Sequence, residues 1–120
     1  KDGSLDFLKK KGIEIQVRSI FLQGLLFYND SKFPIYFKRW EKIFKKWQKS
    51  CCDQKFSLIE AALSFVVNIK EIDRCIIGFE DIKQLESCAN FFKKKNLKLF
   101  DASNLDCDDI DLINPTNWKT

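Results

Sequence analysis

Apolar and polar residues alternate over residues 13–18, where Ile13, Ile15 and Val17 are separated by polar side chains. The two-residue period and the β-branched side chains predict a β-strand. The strand leads into a turn that contains Gly24. Before it, the spacing of apolar residues over about residues 4–11, followed by Gly12, predicts the end of a helix.

A second strand pattern lies further along the chain, at residues 74–77, and ends at Gly78. A helix is predicted to follow it to about residue 95, with Asp81 as N-cap and Gln84 three residues later. The residues predicted to face inward from this helix are Leu85, Cys88, Ala89 and Phe92.

Two helices are predicted between the strands. Residues 37–49 carry aromatic residues at helical spacing with lysines opposite them, which is typical of an amphipathic helix. Ser57 and Glu60 form a capping box for a helix over about residues 57–69. That helix is apolar almost all round, so we expect it to be buried on two sides.

Loops and a tail complete the predicted elements. Residues 27–36 contain the turn residues Asn29, Asp30, Ser31 and Pro34. Residues 97–120 are predicted to be an extended tail, with its apolar residues and Trp118 packed against the outside of the fold. The strands and helices together indicate an α/β fold.

The composition is that of one globular domain of 120 residues, with 45% hydrophobic and 32% charged residues. No run of 18 apolar residues occurs, so no membrane span is predicted. The chain contains no methionine, which indicates a piece of a longer chain. Five cysteines without a zinc spacing or a secretion signal indicate free thiols and a cytoplasmic location.

Histidine is absent, which excludes histidine-dependent acid–base catalysis within this segment. The charge is uneven, because residues 36–50 are basic and residues 101–111 are acidic. Such an asymmetry marks either a binding surface or two segments that attract each other. A module whose basic helix binds nucleic acid or an anionic membrane is the alternative function, although buried aromatics and solvated lysines are the favoured interpretation of this helix.

The order of these elements resembles the C-terminal part of the aldo-keto reductase family. The matching residues after the first helix are Gly12, Ile13, Ile15, Ser19, Gly24, Leu25 and Leu26. Residues 57–78 are similar to the family's buried helix and last strand, and residues 82–85 to the start of its last helix. The resemblance covers about residues 4–95 and implies the last two βα units of a (β/α)8 TIM barrel. Residues 1–120 would then be the C-terminal segment of one NADP-dependent oxidoreductase domain, with the N-terminal remainder of the barrel as its partner.

The resemblance also implies NAD(P)H-dependent reduction of a small-molecule carbonyl substrate. The family's catalytic residues come from earlier strands, so none is assigned to this segment. The residues that the resemblance places at the cofactor are Arg18, Ser19, Phe21, Gln23, Gly24, Gly78, Glu80 and Gln84. The alternative is that the two glycines only permit tight turns and that Gln84 only caps a helix.

Four positions depart from the family pattern. Arg18 stands where the family usually has an aromatic residue that stacks on nicotinamide, and Glu80 stands near the place of a Ser or Arg that binds the 2′-phosphate. Ser87 and Cys88 replace the usual adenine-contacting pair. NADP, NAD and a catalytically inactive barrel without cofactor therefore all remain open.

Overall fold

The two strands of the computed structural model, which describes residues 3–28 and 33–119, form one parallel sheet. Strand β1 spans Gln16–Arg18 and strand β2 spans Arg74–Ile76. The register pairs Val17 with Cys75. Because the strands are parallel, their carboxyl ends meet at the same edge, and the turns that follow them lie side by side.

Helices make up most of the regular structure. In chain order the α-helices are α1 Ser4–Lys10, α2 Glu41–Asp53, α3 Leu58–Val67, α4 Ile82–Lys93 and α5 Ile110–Ile113. Short 3-10 helices span Leu25–Phe27, Ile35–Trp40 and Pro115–Asn117. The predicted turn residues Asn29, Asp30 and Ser31 lie outside the described residues.

The expectation of a portion of a (β/α)8 TIM barrel is wrong. The described residues form a mostly helical domain with five α-helices and a single two-stranded sheet. Only three residues of each predicted strand enter the ladder. Apolar strand patterns can predict that two segments pair, but they do not show how long the ladder becomes or how many strands join it.

Several local predictions are confirmed. The Ser57 hydroxyl accepts from the backbone N–H of Glu60, and the Glu60 carboxylate accepts from the N–H of Ser57, so the capping box of α3 is complete. Gly12 follows α1 with φ +73° and donates its N–H to the carbonyl of Lys9 at 2.9 Å. This left-handed conformation explains the glycine that ends α1.

Three apolar clusters hold the elements together. The first contains Phe21, Ala62, Leu63, Cys88 and Phe91 and joins the turn after β1 to α3 and α4. The second contains Leu25, Phe37, Trp40, Phe44 and Leu112. The third contains Cys51, Ala61 and Phe100. The turn after β1 contributes to two of these clusters, so the core fixes its position.

The C-terminal segment packs against the rest of the fold, as predicted. The Trp118 ring lies edge-on to Phe37 with centroids 4.8 Å apart, and the Tyr36 hydroxyl donates to the carbonyl of Asn117 at 3.1 Å. The segment is not simply extended, because it contains α5 and a 3-10 turn.

The inward face of α4 was predicted only in part, because Ala89 is exposed and the buried Phe91 was not among the residues predicted to face inward. Cys88 and Phe91 are buried, whereas Leu85 and Phe92 are 48% and 54% exposed. The expected two-sided burial of α3 is also incomplete, since Phe65 is 47% exposed. In both helices apolar residues point to solvent, and the helical period alone cannot say which of two apolar faces is covered.

Within the described ranges, no helix is long and apolar enough to cross a membrane.

Candidate functional site

An open cleft lies at the carboxyl ends of the two strands. Its volume is about 400 Å³. All the residues that the family resemblance placed at a cofactor line it: Arg18, Ser19, Phe21, Gln23, Gly24, Gly78, Glu80 and Gln84. Two turns that are more than fifty residues apart in the chain therefore form one site, because the parallel register of β1 and β2 brings their ends together.

The turn after β1 has an unusual backbone. Ser19, Leu22 and Gln23 have φ values of 59°, 49° and 53°, and Gly24 follows with φ +80°. Left-handed conformations cost a non-glycine residue about 1–2 kcal/mol. Such strain concentrates at functional sites in proteins, where the surrounding structure holds it in place.

This turn also presents free backbone donors. The N–H of Leu22 donates to the carbonyl of Ser19 at 2.8 Å. By contrast, the N–H groups of Gln23 and Gly24 donate to no acceptor among the described residues. Adjacent free backbone donors in a turn are suited to an anion.

The turn after β2 is held by the start of α4. The Asp81 side chain accepts from the N–H of Gln84 at 2.8 Å, and the Gln84 side-chain oxygen accepts from the N–H of Glu80 at 3.1 Å. Asp81 therefore caps α4 as the sequence predicted, whereas Gln84 accepts from the N–H of Glu80 in place of that of Asp81 and so fixes the backbone of Glu80. Gly78 lies outside the left-handed region, and an added Cβ there would meet no atom within 4 Å.

Two opposite charges face the cleft. Arg18 is the cation and Glu80 the acid among the lining residues. A Cβ added at Gly24 would lie 3.1 Å from the Glu80 Oε1 atom, so the carboxylate reaches from one turn to the other. Neither side chain takes part in an ion pair with a described residue.

Apolar side chains form the remaining wall. Ile20, Phe27, Ile76 and Phe79 line the cleft in addition to the predicted residues. Phe21 is only 6% exposed and packs on Phe27 with ring centroids 5.0 Å apart, so it is chiefly a core residue that offers one edge to the cleft. Ile20 and Phe79 are adjacent in the chain to predicted residues, and that adjacency was the available sequence signal, whereas Phe27 and Ile76 lie further away in the chain.

The chemistry of the cleft is that of binding. Its lining contains no Tyr, Lys, His or Cys, and its one hydroxyl, that of Ser19, has no histidine or lysine beside it in the lining to activate it. Among the described residues, no group of His, Cys, Asp or Glu side chains could hold a metal ion. The lining residues are instead suited to hold a ligand that has both apolar and charged parts.

Three of the five cysteines are poor nucleophiles. All five are free. Cys51 is 1% exposed, and burial raises the pKa of its thiol to about 12. Burial also raises the pKa of Cys75 and of Cys88. Because the thiolate is the reactive form, these positions suit structural roles.

The basic helix does not present an aromatic docking face. Phe37, Trp40 and Phe44 are buried in the second cluster. Part of its charge is matched nearby, because Arg39 pairs with Asp111 at 3.0 Å and Lys49 pairs with Asp53 at 2.7 Å. The pair of Arg39 and Asp111 joins the basic segment to the acidic one. It therefore favours the interpretation in which the two segments attract each other over the one in which they mark a binding surface.

Comparisons with protein-family models, with curated proteins and with solved structures gave no match to this chain.

Proposed function

We propose that the cleft binds a nicotinamide dinucleotide, NAD(H) or NADP(H). In this proposal the chain holds the cofactor side of an oxidoreductase that reduces a carbonyl compound, as aldo-keto reductases do. The observation that carries the proposal is the convergence of the assigned residues on one cleft at the carboxyl ends of two parallel strands. Ligands of α/β folds bind at this end of the strands.

The size and lining of the cleft support a ligand of this class. Clefts for small molecules and cofactors have volumes of about 300–1,000 Å³, and this one has about 400 Å³. Ile20, Phe27 and Phe79 offer apolar surface to a planar ring. An open cleft of this size suits part of a dinucleotide, with the remainder extending over the surface.

The hydrogen-bond donors of the cleft support an anionic ligand, whereas the Glu80 carboxylate beside Gly24 opposes one at that point. The N–H groups of Gln23 and Gly24 and the Arg18 guanidinium are the donors that a pyrophosphate requires. The N-terminus of α4, a helix of 12 residues, also borders the cleft through Gln84 and favours negative charge. Arg18 can in addition stack its plane on a ring.

These groups indicate which steps belong to the cofactor and which to the protein. When bound, a reduced nicotinamide supplies the hydride for carbonyl reduction. The lining residues bind and orient, with Arg18 holding the anionic part and the turn at Gly24 fixing its position. The lining lacks a Tyr–Lys or His donor for the carbonyl oxygen. We therefore expect nucleotide binding from these residues, with the proton donor located outside the cleft lining.

The test is a fluorescence titration of NADH and of NADPH with the purified protein. Binding at the cleft shifts or quenches the nicotinamide emission, and Arg18→Ala weakens the binding about tenfold because a charge-assisted contact is lost. Arg74→Ala is the matched control. Arg74 is an exposed arginine at the opposite end of β2 that pairs with Glu14 at 2.9 Å. No change with either nucleotide at millimolar concentration would contradict the proposed function.

A further inference from the structure

A second groove lies between helices α1, α2 and α3 and the segment that precedes α5. Its volume is about 450 Å³, and every described residue that lines it is apolar. The indole nitrogen of Trp47, the polar side-chain atom in this wall, donates its N–H to the carbonyl of Leu26 at 3.3 Å. Among the described residues, Ile20 alone lines both this groove and the cleft. The groove is therefore a separate surface of almost purely apolar character.

Phe65 stands at the mouth of this groove. It lies on α3 between the buried residues Ser64 and Val66, and it is 47% exposed although it lines the groove. Leu5 of α1 also lines the groove and is 37% exposed. A projecting aromatic ring and an apolar recess thus share one face of the molecule. Contiguous apolar surface of this kind marks interaction sites in proteins.

A face that carries both a projecting ring and a recess can pair with a copy of itself. In a two-fold dimer the same surface lies on both sides of the interface, so a residue that enters the partner's recess is matched by the partner's residue in its own. Aromatic side chains that fill a pocket are the usual anchors of such contacts. We propose that two copies of this chain form a dimer in which Phe65 of each copy packs in the groove of the other.

The exposed area of the domain is sufficient for this interface. The accessible surface is 8797 Å² for 14.2 kDa, which is roughly 2,000 Å² more than a folded monomer of this mass exposes. A stable interface buries about 800 Å² on each partner. The excess on one chain is therefore larger than the area that a dimer requires.

The surroundings of the groove also fit an interface between proteins. Phe65 and Ala102 border a neighbouring recess whose lining includes Asp101 and Asp106. Both acids are exposed, so water and salt screen the repulsion between copies at this edge. An apolar centre with a polar, wet rim is the usual composition of a contact between proteins.

The test locates the contact between copies by NMR. In a mixture of isotope-labelled and unlabelled protein, filtered spectra detect only the contacts between different copies. We expect nuclear Overhauser effects between the Phe65 ring of one copy and the methyl groups of Val66 and Ile69 of the other. Contact through the exposed residues of α4 would not give these signals, so the experiment distinguishes the groove from other apolar surface.

Two lysine substitutions on α3 measure the strength of the contact. Phe65→Lys places a charge in the apolar interface and should raise the dissociation constant of the dimer at least about tenfold in sedimentation velocity. Val67→Lys is the matched control, because Val67 is a 42% exposed apolar residue of the same helix that does not line the groove. Its dissociation constant should stay within about twofold of the wild-type value.

A protein that is monomeric at all concentrations would overturn the inference. So would equal effects of the two substitutions, or a dimer without the expected contacts at Phe65. If a monomer binds the apolar dye anilinonaphthalene sulfonate and Phe65→Lys weakens that binding, the groove takes a small apolar ligand and not a second copy. The inference does not rest on the dinucleotide site, which the nucleotide titration tests separately.

Discussion

Gly24 is subject to two separate constraints at the edge of the cleft. Its φ of +80° lies in the region that L residues rarely adopt, and its Cα faces the Glu80 carboxylate, so that a Cβ would stand 3.1 Å from Oε1. Gly78, on the opposite turn, has neither constraint. The two glycines looked equivalent in the sequence, but only the first is required by the backbone that the structure shows.

A pair of glycine substitutions tests this difference. Gly24→Ala should lower the free energy of unfolding by about 1–2 kcal/mol, because alanine is strained at positive φ. Gly78→Ala should leave it unchanged or raise it by up to about 1 kcal/mol, since the unfolded chain loses freedom without strain in the folded state. Urea denaturation of both variants measures the difference. Equal losses in the two variants would be inconsistent with the backbone described.

In the strained turn, residue type predicted only part of the unusual backbone conformation. Gly24 was recognisable as a turn residue. The left-handed conformations of Ser19, Leu22 and Gln23 were not, because these residue types do not favour them. Tertiary packing imposes them. Leu25 and Phe21 on either side are buried in two different clusters, and the chain between them has to bridge the two.

At the scale of elements, the acidic C-terminal segment and the start of the basic helix bind each other. The Trp40 indole N–H donates to the Asp109 carboxylate at 2.7 Å, and Arg39 pairs with Asp111 at 3.0 Å. The Arg39 guanidinium also lies over the Trp40 ring, 3.8 Å from its centroid. These contacts hold α5 on the 3-10 helix that precedes α2.

Acid should weaken this contact in a defined direction. The hydrogen bond from Trp40, with the Asp111 N–H and the charge of Arg39, lowers the pKa of Asp109 below its ordinary value of 3.8. Because the folded pKa is the lower one, Asp109 stabilises the fold above 3.8, and that stabilisation is lost as the pH falls through the folded pKa. Melting temperatures measured from pH 7 to below the ordinary aspartate pKa should therefore decrease most steeply at the acid end.

Asp109→Asn should make the acid-induced decrease shallower, because asparagine does not titrate in this range. Its single side-chain oxygen keeps one of the two hydrogen bonds that Asp109 accepts, from Trp40 or from the Asp111 N–H. Asp6→Asn on the exposed helix α1 is the matched control and should follow the wild-type curve. Other carboxylates with lowered pKa values, including Asp73 and Glu60, keep part of the slope in every variant. An Asp109→Asn curve parallel to that of the wild type would contradict the assignment.

The local elements could largely be predicted, for physical reasons that the structure makes clear. The capping box at Ser57 and the glycine after α1 are short-range hydrogen-bonding patterns, so the sequence alone carries them. The inward face of α4 could not be predicted. Leu85 and Phe92 fit a helical stripe as well as Cys88 and Phe91 do, and only the packing partner decides between the two faces.

At the scale of the whole molecule, the domain exposes more surface than its mass implies. Its accessible area is 8797 Å² for 14.2 kDa, which is roughly 2,000 Å² above the value expected for a folded monomer of this mass. Much of the open surface is apolar. On α4, Ile82, Leu85 and Phe92 are 72%, 48% and 54% exposed. Each strand of the described sheet also pairs only with the other.

Protein molecules with such a surface should associate with one another. We expect sedimentation velocity to show an average mass that rises with protein concentration, because the apolar stripe of α4 and the free strand edges favour contact between molecules. Phe92→Lys should shift this association to higher concentration. Asn90→Lys adds the same charge at a neighbouring exposed position outside the stripe and is the control. A monomer at all concentrations with a sharp, cooperative melt would contradict this expectation.

That the assigned residues lie close together was easier to predict from the sequence than the architecture around them. The eight residues that a family resemblance placed at the cofactor belong to the turns after the two strands and to the start of α4, and they line one cleft. The barrel expected around them was wrong, because the number of strands depends on long-range pairing that two short apolar runs cannot specify. Two paired strands are nevertheless enough to bring the turns together.

The most direct test of the proposed dinucleotide site is a map of where NADH binds. In amide proton–nitrogen NMR spectra of the labelled protein, NADH should shift the signals of residues 18–24 and 78–84, with the free N–H groups of Gln23 and Gly24 among the largest changes. The signals of α2 should stay in place. Shifts concentrated on the basic helix, or no shifts at millimolar NADH, would contradict a dinucleotide site at this cleft.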